Sequence, residues 1–598
     1  MKFNTYTKYL SLFVLILVSS CRKDFLNQVP DDRLTLDLVF QNQQYSEEFL
    51  ANVYSYIRDE SHRKDAVPFD GLSDDFDIPY PESPIYVINQ GNWTAGSGFY
   101  EYWTEYYRGI RSATYFMENI GKNKAILEQT NGTNLIKQYT AEARFLRAFF
   151  YFNLLRQYGP CVLLGDQLIP TDLPKDNDLM QLPRSSYDEC VNYIVSELDI
   201  AAADLPLYPK QQNVRDYGRA TKAICMAVKS RMLLYAASPQ FNGNTDYASL
   251  KNKDGKQLIS QQYDNEKWKA AADAAKAVID LNVFSLYKVY DGGGAIDPFL
   301  SCRDVMLEPW NTEVILARNS NSLGTYEKHG APRSINGWPS NSITQSLVDE
   351  FEMENGLDKD APNSGYTENG FSTANGKYTR AGTFNMYVNR EPRFYLNVGY
   401  CGSIWPYVAE GEKVMEFFYT GSSGKLGARD IPKYGYISFK NVHPNSNVRL
   451  GQYVTRPYIL YRYAEVLLNY VEALNEYSPG HTDIAKYLNM IRERAGLPNV
   501  PTGLNQDDMR KKIHHERRIE LAVENLRYFD IRRWKISREV NSGKMYGMNM
   551  DGGTHIQDPN FFKRTVMGTR TYFSNYDLFP IPQSEIDRDQ NLVQNPGW

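Results

Sequence analysis

The chain has 598 residues, with 66 basic and 71 acidic side chains and a formal net charge of −5. A mildly acidic chain of this kind is a poor candidate for bulk nucleic-acid binding, so we expect no nucleic acid among its partners. The six cysteines contain no CxxC spacing, which leaves a zinc ribbon and a dithiol redox motif without support.

The first twenty residues have the pattern of a signal peptide. Lys2 and Lys8 give a positive start, and residues 9–18 form an apolar run too short to span a bilayer. The following Val-Ser-Ser-Cys resembles a lipoprotein cleavage box, so we predict a signal peptide over 1–20, lipid attachment at Cys21 and a tether over 21–33. An acylated cysteine with two lipid signals anchors a protein stably to a membrane. An ordinary secretory signal beside a chance cysteine is the alternative.

Residues 34–283 contain a series of helical patterns, which we interpret as an N-terminal helical region. The periodic segments are 34–57, 103–120, 135–158, 181–206, 219–237 and 266–279. Successive helices of this size predict tetratricopeptide-like helix pairs. The segment 58–100 has no periodicity and is rich in Asp, Gly, Pro and aromatic residues. Because its aromatic content argues against disorder, we predict a functional, ligand-binding loop there.

The helix signal mostly disappears in residues 284–455. Turn clusters such as Asp-Gly-Gly-Gly and short β-type runs at 313–317 and 393–400 replace it. We interpret this part as a large loop-rich insertion containing short β-strands. It interrupts the helical array, so we predict one intertwined fold.

The helical pattern returns in residues 456–598, which end in an extended tail. Apolar residues at spacings of three and four predict a helix over 456–477, and Thr482-Asp483 begins a second helix. Acidic residues are interleaved with the basic residues between 510 and 533, which predicts a neutralised, partly buried ion-pair network. Candidate pairs are Lys512–Glu516 and Arg517–Glu520. The predicted fold class is therefore mainly α, a tetratricopeptide-like helix-pair scaffold with a loop-rich insertion.

Motifs for catalysis and cofactor binding are missing from the sequence. There is no Walker A string and no GxGxxG, and His514-His515-Glu516 lacks the second histidine of HExxH, because that position is Ile519. We therefore predict no catalytic residue, no metal and no cofactor. Paired carboxylates for glycoside hydrolysis stay an open alternative, because their separation is not given by sequence.

Four long strings resemble the SusD/RagB family of nutrient-binding outer-membrane lipoproteins. They are EARFLRAFFYFNLLRQYGP at 142–160, LNMIRERAGLP at 488–498, ERRIELAVENLRYFDIRRWK at 516–535 and LFPIPQSEIDRDQNLVQNPGW at 578–598. The resemblance implies a non-enzymatic, lipid-anchored protein on the outer face of the outer membrane. It would capture an oligo- or polysaccharide and deliver it to a SusC-like TonB-dependent transporter. Oligopeptide capture as in RagB-like members, a surface glycoside hydrolase and a structural lid without its own ligand are the alternatives.

Aromatic residues in irregular segments provide the candidate glycan site. Sugar rings present apolar C–H faces that stack on aromatic rings, while amide and carboxylate groups bind the hydroxyls. Three tryptophans lie in polar loops beside asparagines: Trp93 follows Asn92, Trp310 precedes Asn311, and Trp338 follows Asn336. The predicted ligand-binding residues are Asn92, Trp93, Trp310, Asn336 and Trp338, together with Asp75 from the N-terminal loop. We expect the irregular segments 58–100 and 284–341 to meet on one face.

Overall fold

The structure is a computed structural model. It describes residues 36–62, 68–170, 172–174, 176–208, 214–405 and 411–598. The predicted signal peptide and the whole predicted tether, including Cys21, lie outside the described residues. Within the described part, no helix is both long enough and apolar enough to cross a membrane.

Helices dominate the N-terminal region. They are α1 Leu36–Val39, α2 Gln43–Ser55, α3 Pro84–Asn89, α4 Trp103–Ile120, α5 Lys124–Leu127, α6 Gly132–Tyr158, α7 Tyr187–Ala203, α8 Lys222–Ala237 and α9 Glu266–Ile279. The insertion carries four short helices. They are α10 Pro298–Asp304, α11 Leu323–Gly330, α12 Gln345–Glu350 and α13 Pro392–Asn397. Helices return in the C-terminal region. They are α14 Tyr463–Tyr477, α15 Thr482–Arg494, α16 Gln506–Glu520, α17 Arg527–Arg533, α18 Ser537–Val540 and α19 Gln583–Arg588.

The long helices pack side by side in chain order. Helix α4 packs on α6, α6 on α7, α7 on α8 and α8 on α9, while α14 packs on α15 and α16. Helix α9 packs directly on α14, although the whole insertion separates them in sequence. The array therefore continues across the insertion, and the predicted mainly α, tetratricopeptide-like fold is confirmed.

The local sequence explains why the array helices form and why they are buried. Residues 145–158 of α6 are all buried, so neighbours cover this helix on every side. Helix α7 begins with a capping box between Ser186 and Glu189, and the Thr221 side chain caps α8. Buried polar residues of α6 are paired, with Glu142 bound to Arg219 and Arg147 bound to Glu197.

The strands are short and form two-stranded antiparallel sheets. They are β1 Phe76–Asp77, β2 Val289–Tyr290, β3 Ile296–Asp297, β4 Val314–Arg318, β5 Ser342–Ile343, β6 Val398–Tyr400, β7 Ile404–Trp405, β8 Lys413–Val414, β9 Tyr436–Ser438, β10 Tyr458–Arg462, β11 Gly543–Met548 and β12 Arg564–Arg570. The pairs are β1–β5, β2–β3, β4–β10, β6–β9, β7–β8 and β11–β12. Most of them lie in the insertion, where short β-strands are predicted.

Two local predictions are wrong. Residues 458–462 are predicted to be helical but form β10, because Ile459 pairs with Ala317 and Tyr461 with Leu316 of β4. Residues 393–397 are predicted to be extended but lie in α13, which starts with a proline at its N-terminus and passes directly into β6. In both places a strand and a helix follow each other within one apolar run. The periodicity of apolar residues does not show where one ends and the other begins.

Candidate functional site

The two irregular segments meet, as the sequence predicts. Strand β1 of the N-terminal loop pairs with β5, which directly follows the second segment: Phe76 lies opposite Ile343 and Asp77 opposite Ser342. Just after β1, the Tyr80 ring lies edge-on to the His329 ring at a centroid distance of 6.4 Å. The loop that follows β1 and the end of α11 therefore share one surface.

Trp338 is the exposed aromatic residue of this surface. Its side chain is 41% exposed, and its backbone N–H donates to the Lys328 carbonyl at 2.8 Å. The Lys328 ammonium lies 3.9 Å from the centroid of the indole, and the His329 ring contacts the indole edge-on at 5.2 Å. These contacts hold one edge and part of a face of the ring, and leave the rest of it in solvent.

A tight turn presents Trp338. Asn336 has a φ of 65°, a left-handed conformation that asparagine tolerates well. A Cβ on Gly337 would lie 2.2 Å from the Ala331 carbonyl oxygen, so only glycine allows the chain to pass this close. The predicted residue Asn336 is exposed beside the ring. The turn thus fixes the position of Trp338 through its backbone.

The rim of the surface is charged. The Arg429 guanidinium lies 4.7 Å from the Tyr80 ring centroid and forms a salt bridge with Glu82. The Tyr80 hydroxyl donates to the Asp430 carboxylate at 2.7 Å, and burial raises the pKa of this tyrosine. We call the exposed residues Glu82, Trp338 and Arg429 the Trp338 surface, together with the half-buried Lys328 and the buried Tyr80 and His329 rings that connect them. It combines a solvent-facing aromatic ring with hydrogen-bonding groups, an arrangement suited to polar ring-shaped ligands.

Trp93 lies elsewhere, and the prediction that its ring is exposed is wrong. Its side chain is only 5% exposed. The ring packs against Phe579 at 4.6 Å, Trp598 at 4.8 Å and Tyr576 at 5.2 Å. The neighbouring Asn92 is exposed. The string around Trp93 has a loop-like composition, but aromatic residues from the distant C-terminal tail cover the ring.

Trp310 is half-buried and occupies a third environment. Its ring lies 5.3 Å from the Tyr217 ring and packs against a small apolar cluster that includes Val305 and Ile459. Both Tyr217 and the adjacent Gly218 line a cavity of about 420 Å³ next to α2. Among the described contacts of Trp310, none reaches the Trp338 surface. The three tryptophans are therefore not brought together.

Asp75 is buried, so the prediction that it faces a ligand from an open loop is wrong. Its carboxylate accepts hydrogen bonds from Arg518 at 2.7 and 2.9 Å, and Asp74 is bound by both Arg518 and Arg527. Burial opposes the ionisation of Asp74, but the two arginines outweigh it and hold its pKa well below the ordinary value. At Asp75 burial dominates and raises the pKa. Both carboxylates belong to the interior.

One group of side chains has the composition of a cation site. Ligand atoms of Glu352, Asp358 and His515 lie within 4.8 Å of one another. The Lys512 ammonium lies 3.2 Å from an Asp358 oxygen and 3.4 Å from a Glu352 oxygen, so a protein cation already occupies this position. We therefore assign no metal to it.

The adjacent His514 does not contribute to the group around His515. Its ring stacks on Trp534 at 3.7 Å. His514 and His515 thus have different neighbours, as expected for adjacent residues of a helix, whose side chains point in different directions.

The rim residues of the Trp338 surface are missing from the sequence-based site. Tyr80 and Glu82 lie in the segment 58–100, but nothing in their local pattern separates them from its other residues. Arg429 comes from a turn-rich stretch of the insertion. A long-range contact brings it to Tyr80, and no local motif indicates that contact.

Comparisons with known proteins give consistent results over most of the chain. The model of the SusD family matches residues 312–598. A second family model, described as "Starch-binding associating with outer membrane", matches residues 24–234. The SusD-like protein P2 of Formosa agariphila is 41% identical over 156 residues, which cover 25% of this chain and only 27% of that protein. A SusD-like protein of Bacteroides ovatus is 22% identical over an alignment of 622 residues, covering 97% of this chain and 95% of that one.

Solved structures share the fold over nearly the whole chain. A SusD-like protein of Bacteroides fragilis superposes with a TM-score of 0.75 at 26% identity, covering 96% of this chain and 100% of that chain. A SusD-like carbohydrate-binding protein from the same species gives a TM-score of 0.67 at 23% identity, with coverages of 93% and 100%.

Proposed function

Because the chain belongs to the SusD-like family, we propose that it captures an oligo- or polysaccharide at the cell surface. The observation that carries this proposal is the pair of family matches, which together span residues 24–234 and 312–598. We further propose that Cys21 carries the lipid anchor and that the protein faces the exterior from the outer membrane. Its partner would be a SusC-like TonB-dependent transporter that receives the glycan.

The Trp338 surface is the proposed glycan contact. The indole offers a stacking plane for the apolar face of a sugar ring. Asn336 is exposed two residues before it, and Arg429 and Glu82 are exposed at the rim, which the Tyr80 and His329 rings connect to Trp338. These groups supply donors and acceptors for ring hydroxyls. Trp93 and Asp75 are not part of this proposal, because both are buried. Trp310 is left out as well, because it packs in its own cluster with Tyr217, Val305 and Ile459 and is not brought to Trp338.

Binding without turnover is the proposed chemistry. Glycoside hydrolysis needs two carboxyl groups that both reach the substrate. In the ligand loop, Asp74, Asp75 and Asp77 are each buried in ion pairs with arginine or lysine, and the exposed Glu82 is paired with Arg429. Reproducible release of sugar products by the purified protein would favour the hydrolase alternative.

The test of the site is the variant Trp338→Ala. We first screen the purified protein against a panel of polysaccharides on affinity gels, and then titrate the retarded glycan by calorimetry. By analogy with base–aromatic stacking, loss of the ring costs about 1–3 kcal/mol of binding free energy. This corresponds to an affinity roughly five- to a hundred-fold lower. The melting temperature stays unchanged, because the ring lies at the surface.

Trp93→Ala is the matched control. Its ring is enclosed by aromatic neighbours, so truncation leaves a cavity and lowers the free energy of unfolding by about 3–5 kcal/mol. The folded fraction of this variant should still bind glycan with normal affinity. Normal binding by Trp338→Ala would show that the site lies elsewhere, and binding of peptides but no glycan would favour the RagB-like alternative.

Anchoring and the partner need separate experiments. Metabolic labelling with a fatty acid should mark the wild type and not Cys21→Ala. Affinity purification from native outer membranes should recover a TonB-dependent barrel. Equal labelling of both proteins contradicts the anchor, and repeated absence of a barrel contradicts the partner.

A further inference from the structure

Two cysteines lie in contact inside the helical array. Cys161 follows the end of α6, and Cys190 lies in the first turn of α7. Their sulfur atoms are 3.8 Å apart, and both side chains are fully buried. The other described cysteines, Cys225, Cys302 and Cys401, are also buried, but none of them has a sulfur–sulfur contact in the described part of the chain.

The backbone on both sides of this pair is firmly held. The Ser185 N–H donates to the Cys161 carbonyl at 2.9 Å. The buried Arg184 guanidinium donates to the carbonyls of Pro160 at 2.7 Å and Tyr158 at 3.3 Å. A disulfide needs a sulfur–sulfur distance of about 2.05 Å. The two sulfur atoms are therefore within about 2 Å of bonding distance, and the hydrogen bond between Ser185 and Cys161 holds the two segments next to each other.

We propose that Cys161 and Cys190 form a disulfide bond in the exported protein. The inference rests on the proposed surface location, because disulfides form and persist outside the reducing cytosol. In the reaction both thiols lose their protons and a sulfur–sulfur bond forms. The two electrons and the two protons pass to a disulfide-carrying oxidant protein on the export route. Its disulfide is thereby reduced to a dithiol.

Burial determines when this bond forms and how long it lasts. The hydrogen bond to Cys190 and the loss of water raise the pKa of the Cys161 thiol well above its usual value. Thiolate is the reactive form, so exchange is suppressed once the array has closed. The bond therefore forms while the chain is still partly open. Once formed, it is shielded from external reductants by the same burial.

The primary test uses full-length protein purified from native outer membranes. The protein is denatured in excess iodoacetamide without reductant, digested and analysed by mass spectrometry. We expect a linked peptide pair containing Cys161 and Cys190, with no alkylation at either position. Cys225, Cys302 and Cys401 provide the internal control and should be alkylated completely. Prior reduction should make all five positions react.

A second measurement covers the energetic consequence. Reductant added during unfolding should lower the melting temperature of the wild type by several degrees and leave the Cys161→Ala/Cys190→Ala double variant unaffected. Complete alkylation of Cys161 and Cys190 in unreduced protein from the outer membrane overturns the disulfide and leaves the proposed function intact. Absence of the protein from the outer-membrane fraction contradicts the proposed location instead.

Discussion

The ion pairs around α16 and the ion pair of the Trp338 surface use the same residue types in opposite environments. Around α16, Glu520 binds Arg462, Arg494 and Arg393, and all four side chains are at least 97% buried. At the surface, Arg429 and Glu82 form a salt bridge with side-chain exposures of 65% and 60%. Charge pairing in the sequence is therefore not by itself a sign of function.

The environment decides what each pair contributes. Two buried charges have lost their water, so each depends on the other, and removal of one leaves an uncompensated charge in the interior. Two exposed charges keep their water, gain little from pairing and remain available to a ligand. The first arrangement fixes how elements pack, and the second presents groups to the solvent. Substitutions in the two kinds of pair should therefore differ in their effect on stability.

The largest effect is expected for Glu520→Gln. The substitution keeps the shape of the side chain but leaves three buried arginines with one carboxylate fewer. We expect the free energy of unfolding to fall by about 3–5 kcal/mol, measured by denaturant titration. Glu412→Gln is the control, because Glu412 is 60% exposed and pairs with the exposed Arg380. Equal stability of the two variants would contradict the comparison.

Acid should destabilise the buried pairs. Burial opposes the ionisation of Glu524, but Arg462 and Lys440 outweigh it and lower its pKa to about 2. The unfolded value is about 4.3, so this contribution to stability is complete above about pH 5 and is lost as the pH falls toward 2. The single group accounts for up to about 3 kcal/mol. Melting temperatures measured from pH 7 to pH 3 should fall.

The variant Glu524→Gln isolates this titration. The variant is less stable at neutral pH, and its melting temperature should fall less steeply with acid than that of the wild type. Parallel pH profiles for the two proteins would show that other carboxylates cause the acid sensitivity.

The smallest effect on stability is expected for Glu82→Ala. The exposed salt bridge to Arg429 contributes little to stability, so the melting temperature should stay close to that of the wild type. Glycan affinity should change, because Glu82 belongs to the proposed contact surface. A large loss of stability, or no change in calorimetric titration while Trp338→Ala binds weakly, would exclude Glu82 from the site.

Much of the helical array follows from local sequence. The patterns over 103–120 and 266–279 coincide with α4 and α9, because each of these helices has one apolar, buried face. The sequence also predicts that the charged residues between 510 and 533 form an ion-pair network. It does not predict which residues pair: among the residues that the structure describes, the expected pairs Lys512–Glu516 and Arg517–Glu520 do not form. Lys512 binds Asp358 and Arg517 binds Asp530, since the long side chains reach other elements and not their own helix neighbours.

The site was predictable only in part, for a related reason. Composition identifies the two irregular segments and the exposed Trp338. It does not show that Trp93 is covered by Phe579 and Trp598, because those rings lie 486 and 505 residues further along the chain. Burial of a loop residue depends on what folds over it, and that information is absent from the surrounding string.

The contacts of Arg518 with Asp74 and Asp75 have a consequence for the order of folding. Asp74 and Asp75 precede Arg518 by 444 and 443 residues. During synthesis these two carboxylates therefore have no arginine partner until α16 has been made. The N-terminal region is then unable to complete its interior alone. Contacts of such long range make folding slow and late. Under the proposed surface location the chain crosses a membrane before it folds, and late closure would keep it unfolded long enough to be exported.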